Sequence, residues 1–252
     1  MQYLPEDLLI IVYTCQAHKK KATTIAQTWA LGLTNIVYVT DFDDGSLSPV
    51  INLNISGVER LSEKSMVMWK IIYEKYRHSK KWFVKVDDDC YLSTTLLLNV
   101  LSRYDYTEPW YLGNLEYWQN LKGQKINWIT GMLYVFSHKC LEGLAEGLIT
   151  KEGQQGFVNY SIKEDIAVGH ALAKKNIFPT HMQGVYLNLR IGQLIRINEI
   201  LCVSNLSERV IYIIHLLCKV NNICINVLAV VIIKSYYTVK TLFIKTVSLF
   251  VR

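Results

Sequence analysis

The chain has 252 residues, 51% of them hydrophobic, enough to bury the core of one large domain or of one domain with an appendage. Its formal charge of +6 is concentrated late: residues 191–252 carry seven Lys/Arg against two Asp/Glu, so residues 1–190 are close to neutral. The basic excess therefore says nothing for nucleic-acid binding by the main domain, and no Arg-Gly or aromatic-basic repeat supports such a role, so no nucleic-acid partner is expected.

In chain order, Leu8 to Thr14 is a continuous apolar run of strand length. Lys19 to Leu31 is helical in character, and Asn35 to Thr40 reads as a second strand, closed by the turn cluster Asp41, Asp43, Asp44 and Gly45. The stretch from Asp41 to Gly57 reads as loop. Leu61 to Arg77 predicts a helix with Trp69, Ile72, Tyr73 and Tyr76 at helical spacing. Trp82 to Val86 predicts a buried strand that runs straight into three carboxylates, Asp87, Asp88 and Asp89. Ser93 is placed to cap the next helix, with a stripe of Leu97, Leu101 and Tyr104. Trp110–Gly113 and Ile129–Phe136 read as strands, Ser137 as a second cap, and Glu164 to Lys175 as a helix whose acidic start and basic end suit its dipole.

Alternating strands and helices with continuously apolar strands predict a parallel sheet covered on both faces. Ligands of such folds bind beyond the carboxyl ends of the strands. Those ends carry Thr14, Asp41 and the Asp87–Asp89 triplet. Side chains alternate along a strand, so Asp87 and Asp89 are expected on one side and Asp88 on the other. Two hard oxygen donors suit Mn²⁺ or Mg²⁺ carrying nucleotide phosphates. The plainer reading of the triplet is an acidic loop capping a helix. A Mg²⁺-dependent nucleotide hydrolase lacks support, because no P-loop is present.

From about residue 190 the composition changes. Residues 191–252 hold no Pro, Trp or Asp and one Gly. The longest uncharged stretch, Val220 to Ile233, has 14 residues, short of the about 20 that span a bilayer. The expected division is a domain over 1–190 and an apolar, basic tail over 191–252 that adds no packed layer. The six cysteines, at 15, 90, 140, 202, 218 and 224, form no CxxC pair, which argues against a zinc ribbon. Sequons stand at Asn54, Asn159 and Asn205. No charged-then-apolar anchor is visible at the N-terminus, where Pro5, Glu6 and Asp7 intervene.

Residues 8–180 resemble the Fringe-like β1,3-glycosyltransferases, and within them the core-1 β1,3-galactosyltransferases. The match is strongest in W-F-V-K-V-D-D-D-C-Y at 82–91, where the family reads WFLKADDDTY. It continues in L-S-R-Y-D at 101–105 (family LSKYD) and E-P-W-Y-L-G at 108–113 (family EPxYxG). Thr28-Trp29-Ala30, Trp69-Lys70, Tyr134-Val135 with Ser137, and E-D-I-A-V-G at 164–169 (family EDLALG) are collinear with it. The resemblance implies a GT-A fold that uses a UDP-sugar with Mn²⁺, or alternatively Mg²⁺. It implies inverting transfer of galactose from UDP-galactose to the 3-OH of GalNAc O-linked to Ser or Thr of a glycoprotein. Asp87 and Asp89 would hold the metal, and Asp88 would join them at the diphosphate. Asp165 would be the general base, with Glu164 beside it; their plainer reading is helix N-terminal stabilisation. The resemblance also implies a secretory-pathway, Golgi-membrane enzyme, with membrane association and a homodimer as expectations.

Weaker candidates are Thr14 as a uridine contact, against ordinary strand capping, and Lys85 as a phosphate contact, against a solvated lysine. Trp110 and Trp118, taken as loop residues past the site, are candidates for stacking on the acceptor. Trp29, Trp69 and Trp82 read as core. The chain also departs from the family. GGAGYV becomes T-G-M-L-Y-V at 130–135, leaving Gly131 alone of the glycines as an acceptor-binding candidate, with Met132 and Leu133 expected to narrow the acceptor or donor pocket. The cysteines flanking the ED motif are absent, one replaced by His170, consistent with loss of a disulfide. The late metal-binding His has no counterpart; His181 and His215 read as structural residues. These losses leave open a second class of function, a catalytically impaired pseudoenzyme or chaperone-like relative.

Overall fold

A computed structural model describes residues 1–43, 45–119, 125–186 and 201–219. The elements run β1 (Leu8–Tyr13), α1 (Lys19–Gln27), β2 (Ile36–Thr40), β3 (Val50–Asn52), α2 (Leu61–Tyr76), β4 (Trp82–Asp87), β5 (Tyr91–Leu92) and α3 (Thr94–Leu101). They continue with β6 (Tyr111–Gln119), β7 (Lys125–Ser137), α4 (His138–Gly147), α5 (Lys151–Tyr160), α6 (Glu164–Ala173), β8 (Pro179–His181), β9 (Val185–Tyr186), β10 (Cys202–Val203) and α7 (Glu208–Lys219).

β1 is apolar throughout because both of its faces are covered. Leu8, Ile10 and Val12 meet one core and Leu9, Ile11 and Tyr13 the other. The first core receives Ala22 and Ile25 of α1, Leu97 and Leu101 of α3, and Ile211 and Ile214 of α7. The second receives Met68, Trp69 and Ile72 of α2, Leu141 and Leu144 of α4, Phe157 of α5, and Ala167 and Val168 of α6. The result is a sheet between two helical layers. Ser93, Ser137 and Thr150 cap α3, α4 and α5 by accepting from the backbone N–H groups of Leu96, Cys140 and Gly153.

The seven-stranded sheet has the order β3-β2-β1-β4-β7-β6-β8. β3, β2, β1 and β4 are mutually parallel, as expected. β7 is antiparallel to both β4 and β6, so the sheet is mixed rather than parallel throughout. Consecutive antiparallel strands need no crossover helix, and β6 pairs directly with β7. The loop expected over residues 41–57 contains the edge strand β3.

The packed core does not stop at residue 190. β10 lies between β5 and β9 in a second, three-stranded sheet. Leu201, Cys202, Val203, Leu206, Val210, Ile211 and Ile214 are all buried in the first core. The segment is sewn to the strand-end loop by Ser93 N–H to Leu201 O at 2.8 Å and Leu206 N–H to Asp89 O at 3.1 Å. The expectation of a tail without a packed layer therefore fails for residues 201–214. Their apolar character serves burial against α1, β5 and β9. The uncharged stretch 220–233 lies outside the described residues. Among those described, no helix is long and apolar enough to cross a membrane. Cys15, Cys90, Cys140 and Cys202 are free thiols.

Candidate active site

A cleft of about 500 Å³ opens at the carboxyl ends of β1 and β4. Tyr13 and Thr14 form one part of its wall and Asp87, Asp88 and Asp89 another. Thr130, Gly131 and Met132 of β7 form its floor, with Glu164 and Asp165 at the start of α6 facing them. One short segment of each element reaches the cleft, and the sheet order brings segments about 80 positions apart in sequence together.

β4 ends at Asp87, and Asp88 and Asp89 belong to the turn that follows. Alternation therefore orders Lys85 and Asp87, which share a face, but does not extend to Asp88 and Asp89. All three aspartates line the cleft, each against a different basic residue. Lys85 Nζ lies 2.6 Å from Asp87 Oδ1, His18 Nδ1 lies 3.1 Å from Asp88 Oδ2, and Lys21 Nζ lies 3.6 Å from Asp89 Oδ2. Burial pushes the Asp88 carboxyl above the usual range, against the opposing effects of Thr14 and His18.

Lys85 is not solvated. It is 1% exposed, and its ammonium donates to Asp87 Oδ1, to Glu164 Oε1 at 2.8 Å and to the Gly131 carbonyl. Burial works against its charge, but Asp87 and Glu164 together outweigh it and hold the lysine protonated. Burial also raises the Glu164 carboxyl, which accepts from Tyr134 Oη at 2.7 Å on its other oxygen. Asp165, more exposed, accepts from the Gly131 N–H at 3.0 Å through Oδ2 and from the Ile166 N–H at 2.9 Å through Oδ1.

Gly131 can serve both partners because it has left the ladder. Between the pairs Gly113–Tyr134 and Leu115–Ile129, β6 advances by two residues and β7 by five. Thr130 to Leu133 thus bulge out of the β6–β7 register, and the Gly131 amide and carbonyl turn to Asp165 and Lys85 instead.

Other candidates fall elsewhere. Trp110 immediately precedes β6 and packs edge-on against Tyr104, level with the start of β4 and at the opposite end of the sheet from Asp87. Trp118 lies on β6, paired with Ile126, rather than on a loop, and its side chain is outside the described residues. His181 is exposed on β8, where the Leu115 N–H reaches its Nδ1, and His215 lies on α7; neither lines the cleft. His170, in place of the family's cysteine, stacks on Tyr160 at 3.5 Å between ring centroids.

Sequence reasoning missed His18, Lys64, Thr130, Ser204 and Asn205, which also line the cleft. Lys64 had a visible signal: it sits at helical spacing between Leu61 and Met68, on the apolar face of α2. It is buried, donates to the Thr14 carbonyl and stands 4.8 Å above the Tyr13 ring.

Among the described residues, no three His, Cys, Asp or Glu groups converge on a ready-made metal cage. Mg²⁺ and Mn²⁺ do not require one, since they bind through one or two carboxylates and take phosphate oxygens and water for the rest. Asp87 and Asp89 are hard oxygen donors at the mouth of the cleft, and their chemistry fits such an ion.

The model of the family described as Fringe-like matches residues 4–187. A human β-1,3-glucosyltransferase is 30% identical over 128 residues, half of this chain and 25% of that protein. The β-1,3-N-acetylglucosaminyltransferase lunatic fringe of Danio rerio is 34% identical over 116 residues, 43% of this chain and 31% of that protein. Radical fringe of Gallus gallus, of the same named activity, is 34% identical over 118 residues, again 43% of the chain and 31% of that protein. The chain thus aligns with less than a third of the length of these relatives.

Proposed function

The chain belongs to the Fringe-like family of β1,3-glycosyltransferases, and from that premise we propose that it transfers a hexose from a UDP-sugar to an acceptor hydroxyl with inversion. The observation that carries the proposal is the meeting of the Asp87–Asp89 triplet with Asp165 in one cleft. The finer reading is galactose transfer from UDP-galactose to the 3-OH of GalNAc on Ser or Thr, supported by the motif spacing around residues 82–113. By the same resemblance its compartment is the secretory pathway and Golgi membrane, where the exposed sequon asparagines 54, 159 and 205 would meet glycosylation chemistry.

In this mechanism Thr14 and Tyr13 lie where the uridine would enter. Asp87 and Asp89 would hold Mn²⁺ or Mg²⁺. The bound ion supplies charge neutralisation for the departing diphosphate, worth several kcal/mol. Asp165 accepts the proton of the attacking hydroxyl while the new C–O bond forms and the bond to UDP breaks, its electron pair leaving with UDP. Such base catalysis contributes typically about 10²–10⁴-fold. The Gly131 N–H orients Asp165 for this work. Glu164 is buried and engaged by Lys85 and Tyr134, which leaves Asp165, the more exposed of the two, as the carboxylate an acceptor can reach.

One observation favours a second, non-catalytic reading: Asp87 and Asp89, the two carboxylates that would hold the metal, already face the lysines Lys85 and Lys21. UDP release with UDP-galactose, UDP-glucose and UDP-N-acetylglucosamine, Mn²⁺ and a GalNAc-α-Ser/Thr glycopeptide separates the cases. EDTA-sensitive turnover with UDP-galactose supports the finer reading. Preference for another donor keeps the reaction and changes the sugar. UDP binding without turnover for any donor overturns the catalytic reading in favour of the other.

A further inference from the structure

We propose that Lys85 is a positioning residue that sets the acceptor-side carboxylate, Asp165, at its working distance from the metal-side strand. The inference rests on the glycosyltransferase reading above. An ammonium has three N–H donors, and Lys85 spends them on three acceptors from three elements. These are Asp87 Oδ1 on β4, the Gly131 carbonyl in the β7 bulge, and Glu164 Oε1 on α6. Its charge is flanked by the rings of Tyr13 and Tyr134 at 5.0 and 5.3 Å. A buried, fully engaged cation tolerates little movement of its partners, because displacing any one leaves a desolvated charge underpaired.

Lys85 makes no hydrogen bond to Asp165; it holds both groups that do the holding. Glu164 precedes Asp165 in the chain, and Gly131 donates its N–H to Asp165 while its carbonyl accepts from Lys85. The link thus runs from β4 through one ammonium to the two supports of the base. Positional errors of this kind cost turnover rather than donor affinity, since a near-attack geometry is lost while the donor's own contacts persist. A purely structural ion pair would instead lower the folded fraction and leave turnover per folded molecule alone.

The test uses the full chain with Lys85→Met/Glu164→Gln, which removes the buried pair together, and with Glu164→Gln alone. Each is also combined with Asp165→Asn. Folded fraction comes from thermal melts, UDP affinity with Mn²⁺ from calorimetry, and turnover from UDP release. We expect turnover per folded molecule lowered by about 30-fold or more in both variants, with UDP affinity within about threefold of wild type in Glu164→Gln, which leaves the Lys85–Asp87 contact in place. Because Lys85 acts through Asp165, introducing the Lys85 and Glu164 changes into Asp165→Asn should cost less than about fivefold further, a clear failure of additivity. Turnover within about threefold of wild type, or full additivity with Asp165→Asn, overturns the inference alone. If the double variant does not fold, additivity between Glu164→Gln and Asp165→Asn decides in the same way. A wild type that binds UDP and transfers nothing overturns the catalytic reading, and the inference with it.

Discussion

The backbone N–H of Gly131 donates to Asp165 Oδ2 at 3.0 Å, so the floor of the cleft holds its far wall directly. A Cβ on Gly131 would stand 3.0 Å from Glu164 Oε1 and 3.6 Å from Asp165 Oδ2. Glu164 cannot yield easily, because Lys85 and Tyr134 fix both of its oxygens. Gly131→Ala should therefore cost about 1–3 kcal/mol of stability by overpacking. It should also lower transfer by about tenfold or more by moving the carboxylates. Urea denaturation and UDP-release kinetics on the same preparation check the two effects. An unchanged midpoint would mean that the bulge relaxes freely and that Gly131 is not the constraint argued here.

A second prediction concerns the C-terminal segment. Ile211 of α7 is fully buried between α1 and the sheet-facing core. Ile211→Ala should destabilise by about 2–5 kcal/mol, the range for large-to-small changes in a packed core. A loosely attached helix would show less than about 0.5 kcal/mol. Thermal unfolding of the single variant separates these outcomes.

That segment also marks where the sequence is mute. β1, β4 and the Asp triplet were legible because a continuous apolar run ending in three carboxylates has few structural explanations. Glu164 and Asp165 were legible through the helix they begin, and Ser93, Ser137 and α6 by capping and dipole chemistry. The two-residue strands β5, β9 and β10 have no period to detect, so a second sheet uniting residues 91–92 with 185–186 and 202–203 could not be read locally. The bulge at Thr130 to Leu133 breaks alternation in a run that otherwise reads as a plain strand. Lys85 looked solvated because two of its three partners, Gly131 and Glu164, are distant in sequence and only the fold brings them near; the third, Asp87 on the same strand face, was a local signal. His18 carried no signal at all: a histidine before a lysine run acquires meaning only beside Asp88.

A third prediction concerns pH, at a site remote from the cleft. Asp7 accepts from the Leu4 N–H at 3.0 Å and faces Lys81 Nζ at 3.0 Å. Burial pushes its carboxyl up, but the Leu4 amide and Lys81 outweigh that and hold it below the ordinary range. With the folded pKa depressed, the unfolded chain takes up the proton first as pH falls. The stabilisation from Asp7 is thus complete above the unfolded carboxylate value of about 3.9 and disappears as pH falls through the folded one. The half-exposed partner screens the pair, so Asp7→Asn should cost no more than about 1 kcal/mol near neutrality. The stability curves of wild type and variant should converge in acid. A constant gap across that window would assign the loss to packing instead of charge.

The last prediction tests the base. Asp165 stands at the first turn of α6 and lines the same cleft as Asp87 and Asp89, with one oxygen on the Gly131 amide and the other on its own helix. A carboxylate held in this way has two explanations. As a helix-start residue it complements the dipole, and replacing it with Asn would cost about 1 kcal/mol or less while leaving turnover per folded molecule intact. As a general base it must take a proton in the transition state, which Asn cannot do. Asn retains the size of Asp and a carbonyl oxygen for the Gly131 N–H, so the local geometry should survive the change. Asp165→Asn should then leave UDP and Mn²⁺ affinity nearly unchanged, because in the proposed mechanism both would be held by Asp87 and Asp89 and not by Asp165. Turnover should fall by about 10²–10⁴-fold at saturating donor. Glu164 is the internal control. Its oxygens are committed to Lys85 and Tyr134, so it is poorly placed to substitute, and any residual activity in Asp165→Asn should persist when Glu164→Gln is added. Activity that survives Asp165→Asn but is abolished by adding Glu164→Gln would move the base to Glu164.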